Sequence, residues 1–329
     1  MSNNSFSIIS LYFVILQVCM LTACTAPSSE KIVLKFGHMG NEQHIWHRSA
    51  MHFAQKADSL SNGRIEVRVY PAEQLGKELD MIRSIKAGIA DFTITGESLQ
   101  NWIPEASFCG MPYLIRDLDH LSKVVDGDIG AGIVEEMIEK IGVRPVGYFA
   151  RGARHLTSNR PIKTPEELKG IILRVPNVPI SVQTWQGLGA KPTPMAFSEV
   201  FTALQQGTVE AQENPFSLIH SAGFYEVQKY VNLTGHVIGW VYVVMGEEKF
   251  KSLDVEDQEI ILTAGRLMQE YYTRVFLQQE EYLQNQLKNH GMEFVEVDKA
   301  AFQKQADEIV KGSLPESILP LYQAIKVLK

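Results

Sequence analysis

The chain has 329 residues, a formal net charge of −7 and three cysteines, with 45% hydrophobic and 21% charged residues. That length predicts two domains, each with a core of its own. The mild acidic excess, with 31 Lys and Arg spread along the chain, excludes the basic stripe of a nucleic-acid binder. The same composition excludes collagenous, disordered and disulfide-framework classes.

The first 23 residues carry no charge, and residues 8–21 are a nearly unbroken apolar run. That run is shorter than the about 20 residues a membrane span needs. Leu21-Thr22-Ala23-Cys24 follows, small residues leading into a cysteine. The order reads as a secretory signal over 1–23 and resembles a bacterial lipobox, with Cys24 as the lipidated first residue. An n-region without Lys or Arg departs from the usual pattern. Cleavage there leaves 306 residues, removes Cys19 and makes Cys109 the sole free thiol. Residues 24–30 read as a tether. The expected location is the cell envelope, in the periplasm or lipid-anchored on the outer face of a membrane.

From Lys31 the hydrophobic period alternates between two and about 3.6. Strands are predicted over 32–36, 65–70 and 89–95, with helices over 46–60 and 79–87 between them. Short joints in this order predict right-handed crossovers and a parallel sheet, an α/β fold. The grammar then repeats: a strand over 143–149, a one-turn helix at 164–170, a strand over 171–175 and a helix over 180–188. Lys191-Pro192-Thr193-Pro194 reads as a rigid loop, followed by a helix over 198–206 and a strand over 209–212. A last strand spans 237–245. One helical pattern covers 255–290, about 50 Å at 1.5 Å per residue, long enough to cross two domains or to kink.

No phosphate-cradling loop, dinucleotide fingerprint or nucleophile elbow is present. His38, His44, His47 and His52 cluster in sequence, but without an HExxH arrangement they make a poor metal site. At a helix start, His44 and His47 fit better as hydrogen-bonding donors to an anion. Arg174 sits at the carboxyl end of the 171–175 strand, where open α/β sheets bind ligands. Arg151-Gly152-Ala153-Arg154-His155 follows the 143–149 strand. A fixed pair of guanidinium forks suits an organic acid, and interdomain salt bridges fit the same residues equally well.

Several motifs together carry a family resemblance. The run from Gly189 through Lys191-Pro192-Thr193-Pro194 to Glu199, then Leu204-Gln205-Gln206-Gly207 and Gln212-Glu213-Asn214-Pro215, resembles the solute-binding proteins of TRAP transporters, the DctP family. So do residues 164–176 (TPEELKGIILRVP), Gln74-Leu75-Gly76 and Thr157-Ser158-Asn159-Arg160. The resemblance implies a two-domain α/β periplasmic-binding-protein (Venus-flytrap) architecture with a long helix crossing both domains. It places 31–151 with 240–279 in the first domain, and 152–239 with 280–329 in the second. It implies a monomer that delivers an organic acid to a membrane permease, with no cofactor, metal or catalysis.

Carried over position by position, the resemblance makes Arg174 the carboxylate clamp and Arg154 a second ligand-facing arginine. Phe197 packs on the ligand, Asn214 offers an amide, Glu97 meets hydroxyls or amines, and a histidine (His44 or His47) helps sort hydroxyls. Sialic-acid-binding members place an Asn just after the first strand. Here Met39 stands at that position, with Asn41 close by. The surrounding residues look more like members that take uronates or aldonates. C4-dicarboxylates and sialic acids are the alternative ligands, and a sensing subunit for a receptor kinase is the alternative role.

Overall fold

The computed structural model describes residues 31–328, so the leader, Cys24 and the tether lie outside the described residues. Apolar residues at period two build β1 (Ile32–Gly37), β2 (Ile65–Tyr70) and β3 (Phe92–Thr95). They are joined by helices Ile45–Leu60 and Glu78–Lys86, and β1 pairs parallel with both β2 and β3. Then come β4 (Val143–Ser158), β5 (Ile172–Val175), β6 (Lys191–Pro194), β7 (Ala211–Pro215), β8 (Tyr230–Gly246) and β9 (Glu293–Val295). One sheet results, in the order β2-β1-β3-β8-β4-β7-β5-β6, with β9 beside β8.

The sheet has a neck. β3 meets β8 only over Tyr242 to Met245, and β7 meets β4 only over Arg154 to Ser158. Between those stretches the sheet is continued by β4 and β8 alone, and the β4–β8 register slips between Arg151 and Arg154. Both strands outrun their predicted lengths. Gly152 in β4 and Gly235 in β8, the latter at φ 52°, mark irregular ladder that reads in sequence as strand ends. Lys191–Pro194, expected as a rigid loop, is instead β6, pairing parallel with β5. It lies at the sheet edge, where a missing proline N–H costs no ladder bond.

Each half buries both sheet faces. Along β8, Trp240, Tyr242 and Val244 join one core, while Val241, Val243 and Met245 join the other. In the second half Leu156, Leu173 and Val175 face Trp185 and Phe302, and Val231 faces Val200, Phe224 and Leu287. The helix Val255–Asn289 serves both halves: Ile261, Ala264, Met268 and Tyr272 lie in the first core, Leu283 and Leu287 in the second. Leu267, Tyr271 and Val275, each one residue before a core position, are half-buried at the core margin. The C-terminal packing also departs from the expected division, which gave 280–329 to the second half. Ile318, Tyr322 and Ile325 pack with Leu121 and Val124 of the first half, and the Ile325 carbonyl meets His120 Nε2 at 3.0 Å. Among the described residues no helix is long and apolar enough to cross a membrane.

Where the long helix passes the neck, a Cβ on Gly152 would lie 2.6 Å from both Glu280 carboxylate oxygens. Burial pushes the half-buried Glu280 up to about 7. A carboxyl raised from 4.5 withdraws stability as pH climbs from its unfolded value through its folded one. Glu280→Gln should therefore match the parent in melting temperature near pH 4 and exceed it by a few degrees at pH 8. Parallel melting curves across that range would remove this assignment.

Candidate ligand-binding cleft

A cleft of about 870 Å³, its mouth included, opens between the halves. Trp46, Glu78 and Glu97 line it from the first half, Arg174, Phe197 and Asn214 from the second, and Arg151 and Arg154 from the neck. Arg174 and Asn214 lie near the carboxyl ends of β5 and β7, where open α/β sheets bind ligands. Trp46 and Glu78 lie at helix starts, and Arg151 and Arg154 lie inside β4.

Arg174 stands on β5 opposite Gln212 of β7 and Thr193 of β6, so its backbone is held from both sides. Its Nε and Nη2 donate to the Met195 carbonyl at 3.1 and 2.7 Å. Its guanidinium carbon lies 6.0 Å from the centroid of the Phe197 ring. It is 4% exposed and has no carboxylate within ion-pair distance among the described residues. Burial, with repulsion from Arg154, pushes the guanidinium down to about 10 despite the pull of Glu213. A buried cation aimed into a cleft without a counter-ion is a place for an anion.

The other two arginines are already paired. Arg154 grips Glu213 through Nε and through Nη2, which lies 2.7 Å from Oε1. His236 Nε2 lies 2.9 Å from the same carboxylate, and Thr234 Oγ1 holds the other ring nitrogen at 2.8 Å. Burial opposes ionisation of Glu213, yet Arg154 and His236 hold it down to about 2. Arg151 forks onto Glu97 at 2.9 and 2.7 Å. Here too burial opposes the charge, and Arg151 and then Arg154 hold Glu97 below its ordinary range. Opposite Arg151, Gly239 must lack a side chain, since a Cβ there would sit 2.2 Å from the Cys109 carbonyl. Arg151 and Arg154 are therefore in salt bridges, but each pair lies within one half and not between the two as the sequence alternative had it, and both arginines still line the cleft.

Asn214 is buried in β7 and gives one amide hydrogen to Gln212 at 2.6 Å. Phe197 is half-buried, edge-on to Phe224 at 5.8 Å, so it borders a core and the cleft at once. The two histidines do not reach the cleft. His44 caps helix Ile45–Leu60 by accepting from the Trp46 amide at 3.2 Å, and burial pushes it down to about 3, so it is a neutral cap. His47 lines an outer groove with Arg48 and Met51, its Nδ1 3.3 Å from His38 Nε2. Trp46, between them in sequence, lines the cleft in their place. Asn41 is also occupied elsewhere, donating across to the Ser221 carbonyl at 2.6 Å, and Met39 faces the cleft.

Glu78 went unrecognised in sequence because an acid in a first helical turn reads as ordinary dipole chemistry. Half-buried on the cleft wall, it accepts from Thr95 Oγ1 at 2.7 Å. Burial and the neighbouring Glu97 charge push it up to about 7. At the mouth the two halves touch: Lys77 pairs with Glu199 at 2.5 Å and Glu73 accepts from Ser198 Oγ. Asn101 also reaches the Asn177 carbonyl at 3.2 Å. These contacts hold the two halves together across the mouth. Among the described residues no group of three or more His, Cys, Asp or Glu is placed to hold a metal ion.

This architecture and site have close parallels. The model of the bacterial extracellular solute-binding proteins, family 7 (DctP), matches residues 36–316. A solute-binding protein of Roseobacter denitrificans is 46% identical over 303 residues, covering 92% of this chain and 93% of the relative. The sialic acid-binding periplasmic protein SiaP of Vibrio cholerae is 33% identical, with 90% and 93% covered. A crystal structure of the Roseobacter protein, a TRAP periplasmic solute-binding protein with bound L-galactonate, superposes with a TM-score of 0.89 at 47% identity. It covers 91% of this chain and 99% of that one. With a matched model spanning most of its length, a two-lobed α/β fold and a cleft built around an uncompensated arginine, this chain belongs to the DctP family of TRAP solute-binding proteins.

Proposed function

We propose that this protein captures a sugar acid, an aldonate or uronate, in the interdomain cleft and presents it to a TRAP membrane permease. Arg174 carries the reading: a buried guanidinium, held by a backbone carbonyl and lacking a carboxylate partner, receives the ligand's carboxylate. Asn214, Trp46 and Glu78 are the polar and stacking groups left for a polyhydroxy chain. The L-galactonate in the Roseobacter relative is a ligand of that chemistry. The domains are those on either side of the β4–β8 neck, with 314–328 returning to the first. Closure brings Lys77 and Glu73 onto Glu199 and Ser198, and a ligand that prefers the closed form drives it.

A thermal-shift series with L-galactonate, galacturonate, sialic acid and C4-dicarboxylates tests the ligand class. A true ligand at a hundred times its Kd should add about 2.7 kcal/mol of stability. Shifts from C4-dicarboxylates alone would overturn the sugar-acid reading.

The leader supports export, and Cys24 after Leu21-Thr22-Ala23 supports lipid attachment of a monomeric protein at the outer face of a membrane. Cys24→Ser should then release the protein from washed membranes into the soluble fraction. Full recovery of the unaltered protein in the soluble fraction would exclude the anchor.

A further inference from the structure

The cleft is lined by four arginines and a lysine, yet it is not strongly positive. Glu97 takes the fork of Arg151 and Glu213 takes that of Arg154, each through two nitrogen–oxygen contacts. His236, buried and pushed below its ordinary range by that burial despite the pull of Glu213, adds no charge. Arg174 is left as the one cleft cation with no carboxylate partner among the described residues, since Lys77 pairs with Glu199 and Arg83 with Asp80. The remaining acids facing the ligand, Glu73 and Glu78, have no cationic partner within ion-pair distance among the described residues.

We propose that Glu97 and Glu213 are specificity-determining positioning residues: by neutralising Arg151 and Arg154 they set the cleft to accept one negative charge, and so select monocarboxylates against dicarboxylates of the same skeleton. The inference rests on the sugar-acid reading and adds to it the charge state of the ligand.

The physical reasons are two. A carboxylate removed from water is tolerated only when it meets a cation and hydrogen-bond donors, and Arg174 supplies these for one carboxylate only. A second carboxylate at the far end of a six-carbon acid would meet carboxylate groups there, and like charges at that range repel. A terminal hydroxyl in the same place donates to Glu78 instead. Discrimination of this kind works by repulsion as much as by attraction. Releasing one guanidinium should therefore change which ligands bind.

Calorimetry at pH 8 with matched pairs tests this: galactonate against galactarate, and 3-hydroxybutyrate against malate. The parent protein should favour the monoacid of whichever pair binds by roughly a hundredfold. Glu213→Gln, which frees Arg154, and Glu97→Gln, which frees Arg151, should each lower that ratio at least tenfold. A merely structural role for the two acids would weaken both members of a pair alike and leave the ratio in place. Circular dichroism selects the variants that fold, and the parent's own ratio decides should neither do so. Parent binding of the diacid within threefold of the monoacid overturns the inference, as does an unchanged ratio in a folded variant. Binding of hydroxybutyrate but no sugar acid overturns the sugar-acid reading and supports the charge selection. No binding by any of the four counts against both.

Discussion

Replacing Arg174 with alanine should weaken binding of the cognate sugar acid by about 2–5 kcal/mol, at least roughly thirty-fold. The ligand carboxylate would enter the same closed cleft and lose its only uncompensated cation, while Arg151 and Arg154 stay engaged with Glu97 and Glu213. Arg174→Lys should fall between the parent and alanine. A point charge is retained, but the planar fork that holds the Met195 carbonyl through Nε and Nη2 while facing the ligand is lost. Stability should move the other way. Arg174 is a buried guanidinium with no ionic partner in the ligand-free protein, so alanine there removes a desolvation cost and should leave the melting temperature unchanged or higher. Calorimetry together with unliganded melting curves separates the two effects. An affinity loss under threefold would end the assignment of Arg174 as the carboxylate anchor.

Arg174 was legible in the sequence because two local signals coincide: an arginine at the carboxyl end of a short apolar strand, and prolines just after it that stop the strand. Arg154 and Glu97 were legible as cleft residues but not in their roles. Whether a guanidinium faces a ligand or a protein carboxylate depends on Glu213, 59 residues away from Arg154, and Arg151 finds Glu97 54 residues upstream. Those pairings exist only once β4 lies beside β7 and β3 beside β8. His44 and His47 were drawn toward the site by their place at a helix start. The helix start buries His44 as a cap and leaves His47 in an outer groove, and Trp46 between them is the side chain that enters the cleft. Strand existence followed from period two, whereas the lengths of β4 and β8 did not. Their middles cross the neck, where glycines and a slipped register replace the alternation of an ordinary ladder. Lys191–Pro194 failed for a related reason: two prolines argue against a strand everywhere except at an edge, and edge position is a property of the sheet.

The same gap between local and tertiary signals sets the sign of a substitution in the long helix. Gly265 lies inside Val255–Asn289, where helix propensity alone says that alanine should stabilise by about 1 kcal/mol. The structure says the reverse. A Cβ on Gly265 would stand 2.1 Å from the Val146 carbonyl oxygen, and that oxygen belongs to strand backbone, which cannot swing aside. β4 slips register between Pro145 and Gly147 at this point. The helix is tied to the strand just beyond the contact: Gln269 Oε1 accepts from the Tyr148 amide at 2.8 Å, and Tyr272 donates to the Ala150 carbonyl at 2.6 Å. Making room for a methyl would lift the helix off both bonds. It would also shift Leu283 and Leu287, which the same rigid rod inserts into the other half. Gly265→Ala should therefore destabilise by about 1–3 kcal/mol, the usual cost of overpacking. Gly132→Ala is the matched control: its helix, Asp128–Glu136, leaves that position exposed, with nothing within 4 Å of an added Cβ. There propensity acts alone and alanine should stabilise by about 0.5–1 kcal/mol. Urea denaturation of both variants reads the two signs directly, and a midpoint for Gly265→Ala at or above that of the parent would show that the long helix is not seated on β4 as described.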